Sequence, residues 1–95
     1  MKFNGMTYQI AADLVYKLVC ADASGEPEPI TFEYEGQVWE VYNYHDGKDG
    51  ASPAVVLSRQ TEDCMFYSTF YYCRAAKKII GFKHEGFSKE DYYAT

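Results

Sequence analysis

The stretch from Ile30 to Tyr44 constrains the fold of this chain more than any other. Positions 30 to 35 alternate as Ile-Thr-Phe-Glu-Tyr-Glu, Gly36 interrupts, and Gln37 to Tyr44 follows, rich in Val, Trp and Tyr. A period of two marks a strand with one buried face, and two such runs around a short break make a β-hairpin. With Glu35-Gly36 as the two-residue turn, Phe32 lies opposite Trp39, Ile30 opposite Val41, Thr31 opposite Glu40 and Glu33 opposite Val38. One face of the hairpin is then apolar and the other largely acidic. Glu-Gly is a weaker turn pair than Asn-Gly, and a slip of one residue would exchange the two faces, so these facing pairs test the register.

The hairpin needs a partner to cover its apolar face. From Thr7 to Asp22, Ile10, Ala11, Leu14, Val15, Leu18 and Val19 recur at the spacing of three and four that defines an amphipathic helix, with Thr7 as N-cap and Ser24-Gly25 as the stop. Glu26-Pro27-Glu28-Pro29 cannot continue that helix, because proline lacks the amide donor and drives its predecessor into extended geometry. Asn4-Gly5 between Phe3 and Met6 reads as a small N-terminal hairpin. After a loop holding Asp46-Gly47 and Asp49-Gly50, Ala54 to Arg59 reads as a third strand.

Residues 61 to 80 carry two conflicting signals. Glu62 and Asp63 after Thr61, with Arg74, Lys77 and Lys78 before Gly81, match the charge pattern of a helix dipole. Met65, Phe66, Tyr67, Phe70, Tyr71 and Tyr72 instead suit strands, since adjacent aromatic pairs crowd a helix and pair well across a sheet. The aromatic string favours a strand from Cys64 to Phe70, a turn, and a strand around Ile79 to Lys83. Ser88 to Tyr93 reads as a short helical turn capped by Ser88. The sum is a small single α+β domain over residues 1 to 95, an antiparallel sheet of three to five strands packed on one main N-terminal helix.

The charges are unevenly placed. Residues 1 to 50 hold nine acids against three lysines, and between Leu18 and Ser58 the sole base is Lys48. An acidic face repels nucleic acid and attracts basic protein surfaces. Ten tyrosines could stack single-stranded nucleic acid, but such a platform needs a positive groove, which this distribution disfavours. No run approaches a membrane span and the N-terminus lacks the apolar core of a secretory signal, so the expected setting is cytoplasmic.

The motifs of chemistry are missing. Cys20, Cys64 and Cys73 have no paired spacing, and His45 and His84 have no close ligand partner, so no metal, cofactor or disulfide framework is expected and the thiols are read as buried and structural. The loop from Asp46 to Gly50 fails as a calcium site, with Lys48 at its third position and Leu57 where a bidentate Glu is required. The glycines are too scattered to cradle a phosphate. A Cys73 nucleophile next to Arg74 would need a base and an orienting group brought close in space, so an inert thiol is the simpler reading, and Glu33 with Glu40 reads more simply as a solvated pair than as hydrolase carboxylates.

What remains is the acidic strip of Glu26, Glu28, Glu33, Glu35, Glu40, Asp46 and Asp49, near Tyr34, Tyr42 and Tyr44. Carboxylates steer toward a basic surface, and Tyr supplies contact area once docked. The chain reads as a non-enzymatic binding protein. Its partner would be a protein or protein–nucleic-acid complex with a basic surface, engaged through Glu33, Glu35, Glu40, Tyr34, Tyr42, Tyr44, Asp46 and Asp49. In size and charge it is similar to accessory proteins of phages and mobile elements, including anti-CRISPR inhibitors of host defence, a resemblance carried by no motif. Two other readings stand beside it: a small-ligand or nucleotide binder with an aromatic pocket at a subunit interface, and a structural module that self-associates through an open strand edge.

Overall fold

The computed structural model describes residues 5–25 and 29–90, without the side chain of Asp49. One helix, α1 (Tyr8–Ser24), precedes five strands: β1 (Thr31–Tyr34), β2 (Gln37–His45), β3 (Ala54–Gln60), β4 (Cys64–Cys73) and β5 (Lys78–Ser88). The strands form one antiparallel meander in the order β1-β2-β3-β4-β5. This is the expected α+β architecture at the upper end of the expected strand count.

The helix starts and stops where its caps dictate. Thr7 is extended and its hydroxyl accepts the Ile10 amide at 3.2 Å, satisfying one of the orphan donors of the first turn. Gly25 closes the helix in the left-handed conformation, its amide on the Asp22 carbonyl. Ala11 and Leu14 are buried against the sheet, while Ile10, Val15 and Leu18 pack at the margin of the same cluster.

The first hairpin has the register read from its alternation. Thr31 pairs with Glu40, Phe32 with Trp39 and Glu33 with Val38, and the Val41 amide bonds the Ile30 carbonyl at 2.8 Å. Glu35 and Gly36 both have positive φ, 53° and 74°, as a two-residue turn twisted to match its strands requires. Glycine takes the second position without strain and Glu35 tolerates the first.

Residues 61 to 80 form two strands and the turns around them. The Thr61 hydroxyl accepts the Cys64 amide at 3.1 Å, and the Thr61 amide bonds the Cys64 carbonyl, so Glu62 and Asp63 turn a hairpin instead of opening a helix. Arg74 and Lys77 fall in the β4–β5 turn, where Lys77 has a φ of 53°. β4 runs to Cys73 and β5 from Lys78 to Ser88, both longer than the strands expected from the aromatic string, Cys64 to Phe70 and around Ile79 to Lys83. Gly86 has a packing reason: a Cβ there would come within 3.1 Å of the Phe66 ring, which lies over it. Ser88 ends β5, and Lys89 and Glu90 directly after it are helical, as the expected final turn with Ser88 at its start requires; the rest of that turn lies outside the described residues. The expected hairpin at Asn4-Gly5 and most of the Glu26 to Pro29 linker also lie outside them.

The core sits between α1 and one face of the sheet. Val41, Val55, Leu57, Phe70 and Tyr72 meet Ala11 and Leu14, and Phe70 takes the Tyr34 ring edge-on with ring centres 5.1 Å apart. Such contacts add about 0.5–1.5 kcal/mol each beyond the area they bury. The Trp39 indole N–H donates to the Tyr34 carbonyl at 3.2 Å, so burying its polar tip leaves no donor unmet. At the end of this face, the Arg59 guanidinium sits 4.9 Å from the centre of Phe66 and 5.5 Å from that of Trp39, a cation over two ring faces. The thiols are not all buried: Cys20 is exposed on α1, and Cys64 and Cys73 are half-buried.

Candidate binding surface

The sheet has a second face, which no described element covers. The pairings bring to it Glu33 from β1, Val38 and Glu40 from β2, Val56 and Ser58 from β3, Met65 and Tyr67 from β4, and Lys83, Glu85 and Phe87 from β5. Three rings make a row across it. Tyr42 lies 5.5 Å from Tyr67, and Tyr67 lies 6.2 Å from Phe87. Tyr42 and Phe87 are 56% and 41% exposed, and Val38 is 62% exposed beside the row. The shorter Val56, Ser58 and Met65 are buried among these larger side chains. Glu33 and Glu40 stand exposed at the β1–β2 end and form no ion pair among the described residues.

A bulge in β2 decides which tyrosines join this face. Val41 pairs with Leu57 and Asn43 with Val56, so Tyr42 is the extra residue. Simple alternation would put Tyr42 and Tyr44 on one face. The bulge instead leaves Tyr42 against Tyr67 and turns Tyr44 to the helix side, paired with the fully buried Val55. Tyr34 is not a surface residue at all: it is 5% exposed, with its ring on Phe70 and Trp39.

The acidic strip is likewise divided. Glu33 and Glu40 share the uncovered face, and Glu35 is exposed in the turn beyond them. Asp46 and Asp49 lie past the other end of β2, roughly 25 Å or more from Glu35 at the rise of an extended strand. Asp46 is also committed locally. Desolvation would raise its pKa, but the Lys48 amide at 3.2 Å and the Lys48 ammonium at 3.4 Å outweigh it and hold the carboxyl below its ordinary range. The Arg74 guanidinium donates to the Asp46 carbonyl at 3.1 Å, tying this loop to the β4–β5 turn. A recess of about 700 Å³ beside the loop is open and mostly polar, with Tyr44 and Tyr71 as its aromatic lining.

Comparison with protein families, with curated proteins and with solved structures finds no match. Among the described residues no group of three His, Cys, Asp or Glu side chains gathers as metal ligands, and no helix is long and apolar enough to cross a membrane. Sequence reasoning missed Val38, Tyr67 and Phe87. The signal for Tyr67 was the alternation of β4 itself, but joining it to Tyr42 and Phe87 required both the β2 bulge and the β4–β5 register.

Proposed function

We propose that this chain is a non-enzymatic binding protein that docks on a basic macromolecular surface through the uncovered face of its sheet. The row Tyr42–Tyr67–Phe87 is the contact centre, and Glu33 and Glu40 are the steering charges. The observation that carries this reading is that an exposed aromatic row on the sheet adjoins two carboxylates that form no ion pair among the described residues. Tyrosine and phenylalanine provide large contact area at little cost in side-chain entropy. Unneutralised carboxylates at the rim raise the rate of encounter with a basic partner more than they deepen the final affinity. Glu35 extends the acidic rim. Asp46 and Asp49 belong to a separate loop, and Tyr34 and Tyr44 to the packing side.

A basic groove that normally holds nucleic acid is the partner chemistry this combination fits best, in line with the resemblance to phage-encoded inhibitors of host defence. The test is retention of proteins from a cell lysate on the immobilised chain at low and at high salt, beside the Glu33→Lys/Glu40→Lys variant. The proposal expects a partner whose capture falls with salt and falls further on charge reversal. Equal capture by both chains at both salt concentrations would refute the steering role.

A further inference from the structure

The two edges of the sheet differ. β1 is four residues long, whereas β5 is eleven, contains no proline, and bears Ile80, Phe82 and Phe87, each more than 40% exposed. Among the described residues no strand pairs with the outer side of β5. A long apolar edge with open main-chain groups is a template for strand addition unless a charge or bulge blocks it; β5 bulges at Ile80, between the Tyr71–Gly81 and Tyr72–Ile79 pairs, so the regular open edge is residues 81–88.

The β4–β5 ladder fixes which groups of β5 face outward. The Lys89 amide bonds the Asp63 carbonyl at 2.7 Å, and the register from Cys64–Ser88 to Tyr71–Gly81 is unbroken. Antiparallel pairs alternate between bonded and unbonded, so odd-numbered residues from 81 to 89 turn their N–H and C=O toward β4. Phe82, His84 and Gly86 turn theirs to the open edge. On the uncovered face of the same stretch, the Lys83 ammonium bonds the Glu85 carboxylate at 2.9 Å, with Lys83 exposed and Glu85 half-buried.

We infer that the partner of this edge is a second copy of the chain, paired antiparallel about a two-fold axis through His84. That axis sets Lys83 opposite the partner's Glu85 and Glu85 opposite the partner's Lys83, closing a four-charge ring of alternating sign. Phe82 meets the partner's Gly86 and Phe87 meets the partner's Gly81, so each exposed ring falls where the opposing strand has no side chain. The outward-facing groups of Phe82, His84 and Gly86 close about six main-chain hydrogen bonds across the axis. Neighbouring registers fail on charge. Moving the axis one residue toward the N-terminus sets Lys83 opposite its own copy, and moving it one residue the other way does the same to Glu85; like charges directly opposite are destabilising. The lysine that would guard an edge against foreign strands is thus matched within the self-pair. The arrangement extends the sheet sideways and leaves Tyr42 and Tyr67 open; it shares Phe87 with the docking row, and it rests on the β5 edge and its charges, not on the docking proposal.

Sedimentation velocity on the full chain, over a range of concentrations, tests the pairing. The wild type is expected to reach twice the monomer mass. Lys83→Glu alone and Glu85→Lys alone each set like charges opposite each other twice per dimer and are expected to weaken self-association by at least about tenfold. An equimolar mixture of the two variants restores opposite charges at both contacts and is expected to recover the dimer as a heterodimer. Circular dichroism monitors the fold of each variant. A wild type that stays monomeric at millimolar concentration, or folded single variants whose mixture fails to dimerise, would overturn the inference.

Discussion

The two faces of the sheet are built from similar residues and treated differently by the chain. On the helix side, Phe70, Leu57, Val55 and Tyr34 are buried in one cluster with Ala11 and Leu14 of α1, and aromatic contacts serve the fold. On the other side, Tyr42, Tyr67 and Phe87 touch one another but retain a solvent-exposed row. Aromatic content alone therefore does not distinguish core from surface here. What distinguishes them is the single helix, whose one apolar stripe can cover one face only.

The largest test of this contrast is Phe70→Ala. Removing a fully buried ring leaves a cavity among Tyr34, Phe82 and the helix-side residues, and about 3–5 kcal/mol of stability is expected to be lost in urea unfolding. A loss below about 1 kcal/mol would mean that the helix side is not the principal core. Thr7→Ala comes next: it deprives the Ile10 amide of its cap, and about 1 kcal/mol is expected to disappear by the same measurement.

Tyr67→Ala, on the uncovered face, sharpens the comparison. It removes two exposed-face ring contacts and is expected to cost about 1 kcal/mol or less in the thermal melt while abolishing partner capture. Destabilisation as large as that of Phe70→Ala would place Tyr67 in the core and erase the distinction. The smallest expected change is that of Glu33→Lys/Glu40→Lys, whose exposed side chains have no ion pair to lose among the described residues. Its stability should stay within about 0.5 kcal/mol of wild type. Any larger loss in chemical denaturation would assign these acids a structural role.

The helix side was the more legible of the two. The spacing of Ala11, Leu14 and Leu18, the cap at Thr7, and the alternation around Glu35-Gly36 are local signals, and the structure keeps all of them. The uncovered face depends on relations between distant segments. Tyr42 and Tyr44 look equivalent in a strand of period two, and only the extra residue in β2 separates them. Charges at 62, 63, 74 and 77 imitate helix ends because turns and helix termini both favour exposed charged residues. The competition was settled by β4, whose rings find cross-strand neighbours on both faces of the sheet. Asp46 and Glu35 are similar in sequence character, but β2 holds them at opposite ends of its length.

The most direct measurement removes the aromatic row and leaves the fold intact. Lysate proteins retained by the immobilised wild type would be compared with those retained by Tyr42→Ala/Tyr67→Ala and by Tyr16→Ala, a control on the exposed side of α1. The account predicts that all three chains keep the same far-ultraviolet circular dichroism, and that the wild type and the helix control retain one common partner that the double variant loses. Retention of that partner by a folded double variant, or its loss from the helix control alone, would contradict the assignment of binding to the uncovered face.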